Sequence, residues 1–131
     1  RYGVSAPGMG PRSGDALAFD GLFHAEAGRM YAELPERTVP LWNAEPVRAQ
    51  MDLTVHLPAG ARVDELPQSS EGHAPGVAWS LQWERTADGF HLRRRVDVPT
   101  GRVSVQDYPA FAASVRALDQ GDTRRVVSRV R

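Results

Sequence analysis

The chain has no cysteine, no lysine and no isoleucine, and Asn43 is its one asparagine. Without cysteine there are no disulfides, no thiolate metal sites and no thiol nucleophile within these 131 residues. Redox compartment stays open, because a cysteine-free chain is at home in cytosol or periplasm. Without lysine there is no side-chain amine for Schiff-base or isopeptide chemistry, and all 16 bases are arginine. The missing residues use AT-rich codons, so the skew points to a GC-rich bacterial genome. Net charge is missing too. Sixteen acids balance 16 bases, so no field draws the chain toward nucleic acid or an anionic membrane. No apolar run reaches the roughly 18 residues that a membrane-spanning helix needs.

Catalytic signatures are also lacking. The histidines His24, His56, His73 and His91 are scattered, none at metal-ligand spacing from another histidine or a carboxylate. No serine stands in a nucleophile elbow, and no glycine-rich phosphate loop precedes a helix. The chain by itself reads as no enzyme, with no cofactor and no metal.

What is present is alternation. From Arg48 to Leu57, Ala49, Met51, Leu53, Val55 and Leu57 are apolar, while Arg48, Gln50, Asp52, Thr54 and His56 are polar. A period of two puts one set on each face of a strand, one buried and one wet. Val77 to Glu84 repeats the pattern, with Val77, Trp79, Leu81 and Trp83 on one side. A tight turn near Ala87-Asp88-Gly89 then leads into a strand from Phe90 to Val98, a hairpin signal.

Shorter strands are predicted at Asp15–Phe23, with Leu17 and Phe19 inward and a turn at Asp20-Gly21, at Arg62–Leu66, and around Val103 and Val105. Thr38–Trp42 reads as extended, with Pro40 confining it to an edge or crossover. The first fourteen residues read as a short strand running into a loop. Gln68–Gly76 reads as a polar loop, and Ala25–Leu34 fits either a short helix or a strand edge. One helix is clear, over about 107–119. Asp107 is placed to cap it, Pro109 lies in its first turn, Gly121 marks its end, and Tyr108, Phe111, Val115 and Leu118 form its stripe. Residues 120–131 are a basic tail or a last strand. The expected fold is all-β: one two-sheet antiparallel sandwich over 1–131 with one C-terminal helix.

Three residues are candidate contacts for a ligand or partner. Arg94 shares a row with Phe90, Leu92, Val96 and Val98 and so points inward, where an unpaired charge is costly. It is either an anchor for an anionic ligand or neighbouring domain, or a snorkelling or bulged side chain. Asp52, Glu84 and Asp97 are its candidate partners. Trp42 stands apart from Trp79 and Trp83, which share a core-facing row, and with Tyr31 and the segment 68–76 it outlines a surface for a sugar or peptide.

Three segments together resemble a known family. They are Tyr31-Ala32-Glu33-Leu34-Pro35-Glu36-Arg37-Thr38-Val39-Pro40-Leu41, then Leu57-Pro58-Ala59-Gly60-Ala61-Arg62-Val63, and then Arg93-Arg94-Arg95-Val96 through Gln106-Asp107-Tyr108-Pro109-Ala110-Phe111. In this order they resemble the C-terminal β-sandwich domain of bacterial transglutaminase-like proteins, over about residues 13 to 120. In those proteins it follows a Cys-His-Asp domain and an N-terminal β domain of unknown function. The resemblance implies a non-catalytic accessory role in a periplasmic or cell-surface protein. Its partner is then the upstream domain of the same protein, or another envelope protein, and the absence of an initial methionine fits an excised piece. A sugar- or peptide-binding module, or a domain pairing through an edge strand, are the rival expectations.

Overall fold

In the computed structural model, which describes residues 12–19 and 24–130, the elements follow in this order: β1 (Arg12–Ser13), β2 (Ala16–Phe19), α1 (Ala27–Tyr31), β3 (Leu41–Asn43), β4 (Val47–His56), β5 (Ala61–Glu65), β6 (Ser70–Ala74), β7 (Val77–Arg85), β8 (Gly89–Val98), β9 (Gly101–Val103), α2 (Tyr108–Asp122) and β10 (Val126–Val130). Every strand pairing is antiparallel. One four-stranded sheet has the order β4-β8-β7-β6, a second has β1-β2-β10-β5, and β3 and β9 form a two-stranded ribbon. The fold is all-β with antiparallel sheets, and α2 is its long C-terminal helix.

The alternating strands set the larger sheet. Val77, Trp79 and Leu81 of β7 and Phe90, Leu92, Val96 and Val98 of β8 are buried on one face. Two coverings share that face. Over one part lies α2, whose Phe111, Val115 and Leu118 have no exposed surface. Each such side chain contributes roughly 1.5–3 kcal/mol by leaving water. Trp79 Nε1–H donates to Ser114 Oγ of the helix at 3.0 Å. Over the other part lies the second sheet, where Val63, Val126 and Phe90 form a separate cluster and the Phe19 and Phe90 rings meet edge to face at 6.0 Å. The Arg85 guanidinium ties the two sheets by donating to the Val63 carbonyl.

Several expectations change. Gln68–Gly76 is no loop: it holds β6 and the turn at Pro75-Gly76, with Gly76 at φ 89°. Its polar residues line an edge, and Gly72 is small because the Trp79 ring lies over it, 2.4 Å from where a Cβ would stand. Asp107 does not cap α2 with its side chain. Ser104 does the local work instead, its Oγ accepting the Asp107 N–H at 3.0 Å. The helix also runs past 119 to Asp122, because Gly121 packs within it beside Leu81, whose Cδ1 is 2.8 Å from a built Cβ. The basic tail is β10, central in the second sheet, with Val126 and Ser128 buried and Arg129 on Asp64 at 3.0 Å. Alternation is there, but from Val126 to Arg129 it spans only four residues. The ambiguous stretch at 25–34 contains the short helix α1. The turn at Asp20-Gly21 and the residues before Arg12 lie outside the described residues.

Candidate functional site

The three sequence candidates fall on three elements, and no contact links them. Arg94 does point inward, but its partner is none of Asp52, Glu84 or Asp97: its Nη1 lies 2.6 Å from Asp122 Oδ2, on α2. Their side chains are 11% and 2% exposed, so the pair belongs to the interior. Tyr31 ends α1, half-buried and edge to face with Phe111 at 6.3 Å, and burial pushes its phenol up. Trp42 alone faces solvent, 61% exposed, with the Arg102 guanidinium over its ring at 5.4 Å.

The Arg94–Asp122 pair leads to a larger arrangement. Besides Arg94, Asp122 Oδ2 accepts the Ala25 N–H at 2.8 Å. One turn earlier, the Asp119 carboxylate accepts the Ala27 N–H at 2.9 Å and the Gly28 N–H at 2.7 Å. These are first-turn amides of α1, which has no side-chain cap of its own, so α2 supplies it across the chain. Gly28 is required there, since a Cβ would stand 2.7 Å from Asp119 Oδ2. At the other end of α1, Arg116 Nη2 donates to the Ala32 carbonyl at 3.0 Å, and the Tyr108 hydroxyl donates to the Leu34 carbonyl at 2.5 Å. Arg37 then folds back over the Tyr108 ring at 5.6 Å and donates to the Val39 carbonyl at 3.2 Å. Downstream, Asn43 Nδ2 donates to the Pro99 carbonyl at 2.9 Å.

α2 therefore has two working faces. Phe111, Val115 and Leu118 meet the sheet, while Tyr108, Arg116, Asp119 and Asp122 clamp the segment that carries α1 and its exit. That segment buries Ala27 and Ala32 and turns its larger apolar side chains outward, apart from Tyr31 and Leu41, which pack on the core. Met30, Leu34, Val39 and Trp42, at 63%, 51%, 59% and 61%, are the exposed large hydrophobics of the described residues, and all fall between α1 and the end of β3. Scattered single apolar residues are ordinary on a surface, but here they all fall in one stretch of the chain. The sequence reading found Trp42 and missed the other three. Residues 30–42 have no period of 2 or 3.6, and Arg116 and Asp119 look like the ordinary solvated side of an amphipathic helix.

Other arrangements offer less. His56 Nδ1 lies 2.6 Å from Asp88 Oδ2, and His91 Nε2 contacts Asp52 Oδ1, both on the outer side of the larger sheet. The hydrogen bond with His91 holds the Asp52 carboxyl below the ordinary carboxylate range, helped by the charge of Arg93, and that with His56 does the same for Asp88. Each is half of a catalytic constellation, a histidine oriented by a carboxylate, but no hydroxyl or thiol nucleophile bonds to either histidine among the described residues. A crevice of about 240 Å³ lies beside the clamp, lined by His24, Glu26, Arg29, Asp119, Asp122 and Thr123, and its two aspartates are already occupied by backbone amides. No group of three metal-ligating side chains occurs among the described residues, and none of their helices is long and apolar enough to cross a membrane.

Residues 17–128 match the family described as a domain of unknown function with a solved structure, DUF3858, and the chain belongs to that family. No curated protein matches it. Among solved structures it is similar to a protein of Parabacteroides distasonis described as a "putative protease", with a TM-score of 0.70 over 88% of this chain and 11% identity. The likeness is one of fold. This chain corresponds to 23% of the length of that protein.

Proposed function

We propose that this DUF3858 domain is a non-catalytic accessory domain of a longer bacterial transglutaminase-like protein, and that the surface from Met30 to Trp42 packs on the catalytic domain. The observation that carries this reading is the clamp. Tyr108, Arg116, Asp119 and Asp122 fix a segment that seats Ala27, Ala32 and Tyr31 on the core and leaves Met30, Leu34, Val39 and Trp42 largely in water. Ordering a segment costs about 1–2 kcal/mol per residue in backbone entropy, and those four side chains return little of it by burial. A preorganised apolar surface is what a partner domain uses, because its ordering cost is already met before docking. Catalysis then belongs to the neighbour, with a Cys-His-Asp set that this cysteine-free chain does not carry, and the resemblance to envelope proteins favours a parent in the periplasm or at the cell surface.

Hydrogen exchange tests it. Amides of residues 30–43 are compared in the 131-residue chain and in the full-length protein. We expect exchange slower by about tenfold or more in the longer protein, the local opening free energy rising by roughly 1.4 kcal/mol. Equal exchange in both overturns the docking. The isolated chain is expected to show no transamidation or peptide hydrolysis. Saturable quenching of tryptophan fluorescence by a sugar or peptide, lost in Trp42→Ala, would instead make the exposed indole a ligand platform.

A further inference from the structure

β4 is the outermost strand of the larger sheet, and β8 is its one strand neighbour among the described residues. The Leu57 N–H donates to the Asp88 carbonyl at 2.7 Å, which fixes the phase of the ladder. In an antiparallel pair alternate residues turn both backbone groups toward the same neighbour. Val47, Ala49, Met51, Leu53 and Val55 therefore bond to β8, and Arg48, Gln50, Asp52, Thr54 and His56 turn N–H and C=O outward. An open edge of this length is normally blunted by a bulge, a proline, an inward-pointing charge or a cover. Among the described residues β4 has no such device within its length: its register with β8 is unbroken from Val47 opposite Val98 to His56 opposite Gly89, and its inner row carries no charge. The far edge of the same sheet, β6, is half the length, and both edge strands end near prolines, Pro46 and Pro58 for β4 and Pro67 and Pro75 for β6.

The charges on β4 are self-complementary in one register. Facing residues of antiparallel strands lie on the same side of the sheet, so a slip by one residue would set Arg48 against an apolar side chain. Among registers that keep the faces, centring two copies on Asp52 sets that aspartate against itself and Arg48 against His56. Centring on Met51 sets Arg48 against Thr54. Centring on Gln50 sets Arg48 of each copy against Asp52 of the other, with Ala49 beside Met51 on the inner side and Pro46, which has no N–H, at the end of the ladder. Arg48 is 86% exposed with Asp97 as far as 3.7 Å from it, and Asp52, 52% exposed, has one oxygen on His91 and the other 3.6 Å from Arg93, so each is at the surface with charge to share with a second copy. Ala49 is exposed although it lies in the core-facing row.

We propose that β4 pairs antiparallel with β4 of a second copy of this chain, centred on Gln50, so that two four-stranded sheets become one continuous sheet. The pairing is isologous and closed. It adds about six backbone hydrogen bonds, from Arg48, Gln50 and Asp52 of each copy, and two cross-strand ion pairs. It uses a different strand from the Met30–Trp42 surface and stands or falls separately from it.

Sedimentation equilibrium of the 131-residue chain tests the pairing. We expect dimer at about 100 μM and below. Arg48→Asp alone sets two carboxylates face to face twice, and Asp52→Arg alone sets two guanidinium groups face to face twice. Each is expected to weaken the dimer by about tenfold or more. An equal mixture of the two variants restores opposite charges across the pair, and is expected to dimerise as the parent does although neither variant does so alone. That recovery also shows that both variants are folded. A parent chain monomeric to about 1 mM overturns the proposal. So does a dimer indifferent to both substitutions, or a mixture that fails to recover.

Discussion

α1 and α2 lie against each other and are made by different means. α2 carries its own instructions: Pro109 in the first turn, a stripe of Tyr108, Phe111, Val115 and Leu118, and fifteen residues of length. α1 has five residues, a glycine among them, and Glu26 before it at φ 49°. A helix so short is not stable in water by itself. Asp119 accepts its first-turn amides, Asp122 holds the Ala25 amide just before it, and Arg116 and Tyr108 hold its exit. One helix is written locally and the other is written into its neighbour. The surface assigned to docking hangs from the second.

Substitutions can break that contrast in graded steps. Phe111→Ala removes a fully buried ring under both helices and is expected to cost about 3–5 kcal/mol, read as a lower urea midpoint. Arg94→Leu leaves Asp122 buried without its cation and is expected to cost about 3 kcal/mol. A loss under about 0.5 kcal/mol would mean that the Ala25 amide alone satisfies that carboxylate. Asp119→Ala sharpens the comparison: about 1 kcal/mol of stability goes, amide exchange quickens over 25–34, and α2 keeps its protection. Equal loosening of both helices would show α1 to be an integral part of the α2 fold.

The smallest effect concerns pH. Asp52 and Asp88 titrate lower in the folded chain than in the unfolded one, so the unfolded state binds protons first on acidification. Their contribution is present above about pH 4 and is lost as pH falls through the lowered folded values. Both groups are solvent-exposed, so a shallow acid slope is expected. Asp52→Asn should flatten its part of that slope, lowering the neutral-pH midpoint slightly and leaving the midpoint in acid nearly unchanged.

The same distinction decides what could be read from the sequence. β4, β7, β8 and α2 were legible because a single repeating environment, sheet over core or helix over sheet, acts on each for ten residues or so. β6 was not. Its residues are chosen for one edge, one turn and the underside of the Trp79 ring, and none of these leaves a period. In β10, Val126 and Ser128 face inward among arginines, so its burial lies below what composition reveals. Arg94 was read as inward from its row alone, yet its partner was assigned to the wrong elements, because alternation fixes a face and says nothing of what crosses it. Of the candidate surface only Trp42 was visible beforehand. The clamp beneath it depends on residues far apart in the chain.

The position of β10 has a kinetic consequence. Ser128 meets Leu17 across a separation of 111 residues, and β10 stands between β2 and β5 as their shared neighbour. Apart from the local β1–β2 hairpin, pairing in the second sheet waits for β10, and such non-local contacts slow folding. The larger sheet, built from consecutive hairpins through β6, β7 and β8 with β4 added at its edge, needs no residue beyond Val98. A chain leaving the ribosome can therefore lay down the larger sheet early. It leaves β5 without a strand neighbour in that sheet, and β2 with β1 alone, until the last strand arrives to join them.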